Sequence, residues 1–263
     1  MNICVVIIHG IGRQDKTYAD DFIRLISEEY YRRTGLRNLV FSPICWQEKI
    51  EPLESALFKK VSHLGWREFR DILISFAGDA ICYQRGDDST VYDSVNSLIS
   101  DSLDILSSSN PGSPLCLVSH SMGTIISSNF LWDVYHSNFE ASDGVRNMVN
   151  NLELFYTLGS PLSLWSVRYT DGGMPLVLPS IAKWYNIYSS NDIIGSPLKL
   201  INSRYSDLLN LFDVEIEAGS WLTKWTPLSH NEYWYDNRII NHLVSNLVTL
   251  NNYYEQVFIK EQL

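Results

Sequence analysis

Short apolar runs recur along this chain, and most are followed by a longer segment whose apolar residues fall at helical spacing. Ile3 to Ile8 is continuously apolar, rich in branched residues and closed by His9-Gly10-Ile11-Gly12. That pattern predicts a buried strand ending in a tight turn. Further strands are predicted over Leu39 to Trp46, Pro114 to Ser119, Leu152 to Leu158, Lys183 to Tyr188 and Phe212 to Glu217. Helices are predicted over Thr17 to Arg33, Thr90 to Leu106, Thr124 to Tyr135 and Asp236 to Phe258. Strands that are apolar on both sides leave no face for water. Alternating with helices, they imply an α/β fold, a mostly parallel sheet covered on both faces and joined by right-handed crossovers.

The 263 residues suffice for a core that needs no disulfide, and one domain spanning 1–263 is the simplest division. The stretch from Gln47 to Asp88 is longer than a crossover requires. Its pieces Leu53 to Val61 and Trp66 to Ile74 read as amphipathic helices, either a cap over a site or extra packing on the sheet edge. Twenty Lys and Arg against 30 Asp and Glu give a net charge of −10. This balance argues against nucleic acid as a partner and against electrostatic docking on anionic lipid. Cys4, Cys45, Cys82 and Cys116 lie among apolar residues without a CxxC pair, so they read as reduced, buried thiols rather than zinc ligands. No apolar run approaches the length of a membrane span, and no cleavable signal is evident at the N-terminus. The expected location is cytoplasmic. No feature of the sequence sets an oligomeric state.

The strongest chemical signal is Ser119-His120-Ser121-Met122-Gly123, which leaves the strand ending at Val118 and opens the helix near Thr124. A strand entering a helix through so tight a turn forces the middle residue into a strained conformation and lifts its side chain above the sheet edge. Small flanking residues are needed because the two backbones crowd there; Ser119 and Gly123 meet the need, although Ser119 stands where the G-x-S-x-G pattern has Gly. The helix N-terminus then directs N–H groups and a positive dipole end at the Ser121 hydroxyl. A tetrahedral acyl intermediate needs two N–H donors. The Met122 N–H is one candidate, and the N–H of Ile11, within the Gly-rich turn after the first strand, is the other. That turn lacks the third glycine of a dinucleotide fingerprint and the GK[ST] of a phosphate loop.

With these two turns in place the chain resembles the α/β-hydrolase superfamily, most closely its lipase and esterase branch. Gly159-Ser160-Pro161-Leu162 after the fourth strand supports the likeness, which runs over nearly the whole chain. It implies a six-stranded sheet lacking the two leading strands of the full fold. It also implies the order nucleophile, acid, histidine. Ser121 is then the nucleophile. Asp192, in the loop after the fifth strand, is the expected acid, with an Asx-turn or helix cap as the plain alternative and Asp213 as runner-up. His230, in the loop before the last helix, is the expected base, with a helix-capping role as its alternative. His242 falls opposite the apolar stripe of the last helix. His9 is expected to shape its own loop, His120 to wall a pocket, and His136 to point away. Tyr233-Trp234-Tyr235 reads as packing.

The resemblance implies a serine hydrolase acting on a small-molecule or lipid carboxylic ester through an acyl-enzyme, with no metal or organic cofactor. A thioesterase or amidase would use the same residues, phosphoester cleavage is not separated from these, and the fold also carries non-catalytic binding modules. Eight Trp, 15 Tyr and 10 Phe are enough to line an acyl pocket, but aromatic residues serve cores equally well.

Overall fold

The computed structural model describes residues 1–10, 16–47, 83, 90–169, 173–217 and 227–261. Ile11 therefore lies outside the described residues, as do Cys82 and, apart from Gln47 and Tyr83, the expected helical insert over 47–88.

Six strands form one sheet in the order β2-β1-β3-β4-β5-β6. They are β1 (Ile3–Ile8), β2 (Leu39–Ile44), β3 (Leu115–His120), β4 (Leu152–Leu158), β5 (Lys183–Ser189) and β6 (Leu211–Ile216). Every neighbouring pair is parallel. The helices are α1 (Asp20–Thr34), α2 (Thr90–Ser109), α3 (Met122–Tyr135), α4 (Asp143–Asn150), the short α5 (Leu162–Ser166) and α6 (Ser203–Ser206), and α7 (Asn237–Glu261), which a 3₁₀ helix over Pro227–Tyr235 precedes. A parallel six-stranded sheet with helices on both faces is the α/β layout that the sequence implied.

Side-chain alternation along β1 shows why both faces must be covered. Cys4, Val6 and Ile8 pack with α2, α3 and α4, whereas Ile3, Val5 and Ile7 pack with α1 and α7. Phe22 and Ile26 of α1 and Leu243, Val244 and Leu247 of α7 are essentially inaccessible to solvent, each contributing about 1.5–3 kcal/mol by burial. Cys4 and Cys116 are buried in β1 and β3, as small hydrophobes would be.

Several element ends differ from the sequence expectation. β2 stops at Ile44 because the Trp46 backbone N–H and indole N–H turn away to His9 Nε2 (3.1 Å) and the His9 carbonyl (2.8 Å). α1 begins at Asp20 rather than Thr17, and Tyr18, in the turn before it, donates its hydroxyl to the Ile7 carbonyl at 2.7 Å. The last strand and the last two expected helices are offset by one to three residues, the usual scatter of element ends. α4 was not anticipated; Ser142 caps it by accepting the Val145 N–H at 3.1 Å.

His242 does not sit on a solvent face. It is half-buried, with Nδ1 2.9 Å from the Tyr156 hydroxyl and its ring edge-on to Tyr185. α7 lies close enough to β4 and β5 for the tyrosines of those strands to reach the polar side of the helix.

Candidate active site

The strand order determines where a site can form. From β1 the chain crosses to β2 on one side, and from β3 it crosses to β4 on the other. The C-terminal ends of β1 and β3 thus face diverging connections, and ligands bind in the crevice at such a switch point. The turn carrying His9 and Gly10 follows β1, and Ser121 follows β3.

Ser121 adopts φ 52° and ψ −126° between β3 and α3. A side-chain-bearing residue in this region costs about 1–3 kcal/mol, so its surroundings must hold it. Its N–H donates to the Leu158 carbonyl of β4 at 3.0 Å, and its carbonyl accepts the Thr124 N–H at 2.9 Å and the Thr124 hydroxyl at 2.7 Å. Thr124 has one hydroxyl proton, spent on Ser121, so the Ser160 hydroxyl donates to Thr124 Oγ1 at 2.8 Å. Ser160 Oγ also accepts the Leu162 N–H at 3.2 Å, which ties the turn after β4 to the elbow.

The elbow also needs close backbone approach. A Cβ on Gly10 would stand 2.5 Å from the Ser121 Cβ, and one on Gly123 would stand 2.6 Å from the Ile8 carbonyl oxygen; neither position has room for a side chain. Ser119 is accommodated because its hydroxyl donates to the Tyr156 carbonyl at 3.1 Å and accepts from Ser127 Oγ at 3.0 Å, joining β3, β4 and α3.

The structure brings Ser121, His230 and Asp192 together. Asp192 Oδ2 lies 2.8 Å from His230 Nδ1, and His230 Nε2 lies 2.7 Å from Ser121 Oγ. All three are buried. A carboxylate only accepts, so Nδ1 carries the imidazole proton. In the neutral ring Nε2 then offers its lone pair to the Ser121 hydroxyl, which donates. This geometry can draw a proton from the serine and return it to a leaving group.

Asp192 uses its two oxygens differently. Oδ1 accepts the Ile194 N–H at 2.9 Å, an Asx-turn that fixes the carboxylate on its loop. Oδ2 accepts from His230 and from the Tyr233 hydroxyl, also at 2.8 Å. Side chains three residues apart eclipse on a 3₁₀ helix, so His230 and Tyr233 rise from one face and meet the same oxygen. Tyr233 is more than the packing residue that the sequence suggested; its spacing from His230 is the only signal, and the 3₁₀ geometry that gives it meaning leaves no periodic trace. Burial pushes the Asp192 carboxyl upward, but the hydrogen bond and charge of His230, the Ile194 N–H and the Tyr233 hydroxyl outweigh it and hold the carboxyl below its usual range. Burial and the neighbouring Asp192 charge push the Tyr233 hydroxyl up, so it remains a donor.

The other candidates have different tasks. Asp213 accepts from Asn186 Nδ2 at 2.7 Å and from the Leu198 and Lys199 N–H groups at 2.9 Å each, so both its oxygens hold the segment that follows the Asp192 loop. His9 stacks on Trp46, accepts the Trp46 N–H at Nε2 and therefore donates from Nδ1 to the Gly10 carbonyl at 2.6 Å. His136 is exposed at the end of α3, stacked on Trp132. His120 is buried beside Ser121, and its Nε2–H reaches the His230 carbonyl at 2.6 Å. Among the described residues, no group of three or more His, Cys, Asp or Glu is arranged to hold a metal ion, and no helix is long and apolar enough to cross a membrane.

The two buried histidines make stability depend on pH. Burial takes His9 down to about 4, against a partial upward pull from the Gly10 carbonyl, and burial together with the neighbouring His230 takes His120 down to about 3. Below the ordinary imidazole value of 6.5 the unfolded chain binds protons that the folded chain refuses. Stability therefore rises with pH, and each unit of acidification in this window removes about 1.4 kcal/mol per histidine. The Asp192 contribution has the same sense but begins only below the ordinary carboxylate range. The unfolding free energy in urea is expected to be about 2–4 kcal/mol lower at pH 5 than at pH 7; an unchanged denaturation midpoint would contradict this assignment.

No protein-family model and no curated protein matches the chain. Among solved structures, a novel cutinase-like protein from Cryptococcus sp. is 11% identical, with a TM-score of 0.42 over 92% of this chain and 90% of that one. An acetyl xylan esterase, solved as an iodinated complex, is 10% identical, with a TM-score of 0.37 over 93% of this chain and 98% of that one.

Proposed function

We propose that this chain is a serine ester hydrolase that cleaves small-molecule or lipid carboxylic esters through an acyl-enzyme. The observation that carries the reading is the hydrogen-bonded line from the Ser121 hydroxyl through His230 to Asp192, with links of 2.7 and 2.8 Å, mounted on a strained strand-to-helix elbow. In this mechanism Ser121 Oγ attacks the ester carbonyl carbon as His230 Nε2 takes its proton. The carbonyl oxygen becomes an oxyanion, for which the Met122 N–H, at the start of α3 and without an acceptor inside the helix, is one donor. The Ile11 N–H is the second, proposed from the sequence. The intermediate collapses, His230 protonates the departing alkoxide, and Ser121 is left acylated. Water, deprotonated by His230, then attacks the acyl carbon and releases the acid, and the proton returns to Ser121. Asp192 holds the imidazole tautomer and stabilises the imidazolium of each half-reaction. Tyr233 and Ile194 keep Asp192 ionised and in place.

Purified protein is expected to turn over p-nitrophenyl esters. Short-chain preference with no jump in rate at the onset of micelle formation marks an esterase; a long-chain preference with such a jump marks a lipase. No turnover of any chain length above the buffer rate would overturn the reading.

A further inference from the structure

His120 precedes the proposed nucleophile, and its side chain is spent on the proposed base. Ser121 Oγ meets the imidazole of His230 at 2.7 Å, while His120 Nε2 meets the backbone carbonyl of the same residue at 2.6 Å. Two successive residues at the end of β3 thus grip one residue of the 3₁₀ helix, by its side chain and by its main chain. The Ser121 and Asp192 bonds hold the two ring nitrogens of His230 but not its main chain, which the His120 contact ties to the same strand end. Two contacts from a rigid dipeptide fix both the distance and the tilt. His120 is buried and its ring centroid lies 4.8 Å from that of His230. Trp234 and Tyr233 close the other sides of the ring, at 5.3 and 5.7 Å between centroids, so its own rotamer is restricted.

From this two-point grip we infer that His120 is a positioning residue, one that holds the backbone of His230 so that its imidazole stays in line with Ser121. The inference rests on the hydrolase reading above. A carbonyl must accept, so Nε2 of His120 is the protonated nitrogen and Nδ1 is the bare one. Burial keeps the ring neutral, so no second positive charge opposes the imidazolium that forms on His230. The requirement at position 120 is therefore for a neutral donor at the place of Nε2. Glutamine can put an amide nitrogen there. Asparagine is too short, and leucine has no donor.

Misplacing a reacting group by about 1 Å costs about 100-fold in rate. His120→Leu and His120→Asn are accordingly expected to lower kcat on a p-nitrophenyl ester by about 100-fold with KM little changed, and His120→Gln to recover most of the loss. Each variant is to be compared with wild type for turnover, KM and thermal midpoint. The Asn and Gln pair supplies the test if the Leu variant does not fold, since the two differ by one methylene. Wild-type turnover together with His120→Asn and His120→Leu variants as fast as wild type would overturn the positioning role and leave the hydrolase reading intact. A His120→Gln variant as slow as His120→Asn would overturn it also. Absence of wild-type turnover would remove both.

Discussion

Replacing Ser121 by Ala is expected to lower kcat on a p-nitrophenyl ester by about 10⁵- to 10⁶-fold, since loss of the nucleophile removes the covalent route and not one interaction within it. What remains is the modest acceleration that oxyanion donors and substrate positioning give to direct attack by water. Binding should suffer little, because the substitution removes one oxygen and leaves the pocket walls untouched. The variant should also fold, although the sign of the stability change has two components. The Ser121–His230 hydrogen bond is lost, which costs about 1 kcal/mol. The strained φ of 52° persists with Ala, so no strain is relieved. A residual rate within tenfold of wild type would mean that another group performs the attack.

Asp192→Asn is expected to lower kcat by about 10⁴-fold with the geometry of the site nearly unchanged. The carboxylate at present forces the proton onto His230 Nδ1, from 2.8 Å. An amide oriented to donate its N–H to that nitrogen would favour the other tautomer, with the proton on Nε2 facing Ser121, and the imidazole could no longer accept the serine proton. The Ile194 N–H sets this orientation: a backbone N–H can only donate, so it holds the amide oxygen at the Oδ1 position, 2.9 Å away, and leaves the amide nitrogen at the Oδ2 position, facing His230 Nδ1 and the Tyr233 hydroxyl, which can turn to accept. The measurement is kcat against pH. A loss confined to tenfold at every pH would show that Asp192 is only a loop anchor through its Asx-turn.

How much of this was legible in the sequence depended on whether the cause was local. The elbow was legible because strand, tight turn, small neighbours and helix all lie within Leu115 to Tyr135, and each element declares itself by composition. The sheet was legible for the same reason: β1 and β3 are buried on every residue, and a fully apolar run has few alternatives. His230 and Asp192 follow only from the chain order of the resembling family; the hydrogen bonds from His230 to Asp192 and to Ser121 span 38 and 109 residues and have no local signature. Contacts between distant polar groups leave no trace in the sequence. His120 was read by where its backbone runs, but its side chain answers to a carbonyl 110 positions away. His242 was placed by helical angle alone, which ignores that Tyr156 and Tyr185 reach across from the sheet. Asp213 fits a second acid by chain position alone, but its two oxygens are filled by Asn186 and two backbone N–H groups.

Hydrogen-bond partners divide the labour among the buried histidines. His9, His120 and His230 all surround the elbow, and their hydrogen bonds set their tautomers, with the proton on Nδ1 in His9 and His230 and on Nε2 in His120. His9 carries its proton on Nδ1 because Nε2 accepts from Trp46, whereas His120 carries it on Nε2 because a carbonyl requires it. Neither ring is hydrogen-bonded to Ser121 Oγ among the described residues. His230 is, through Nε2, because Asp192 accepts the hydrogen bond of the proton-bearing Nδ1 on the far side of the ring.

The most direct measurement is stoichiometric reaction of the folded wild-type protein with a fluorophosphonate, followed by mass spectrometry of the peptides. An activated serine attacks such a reagent, while an ordinary buried hydroxyl does not. One adduct per chain on Ser121, absent after urea unfolding and absent from Ser121→Ala, is the predicted result. A folded protein that remains unlabelled, or an adduct on any other residue, would contradict the claim that His230 activates Ser121.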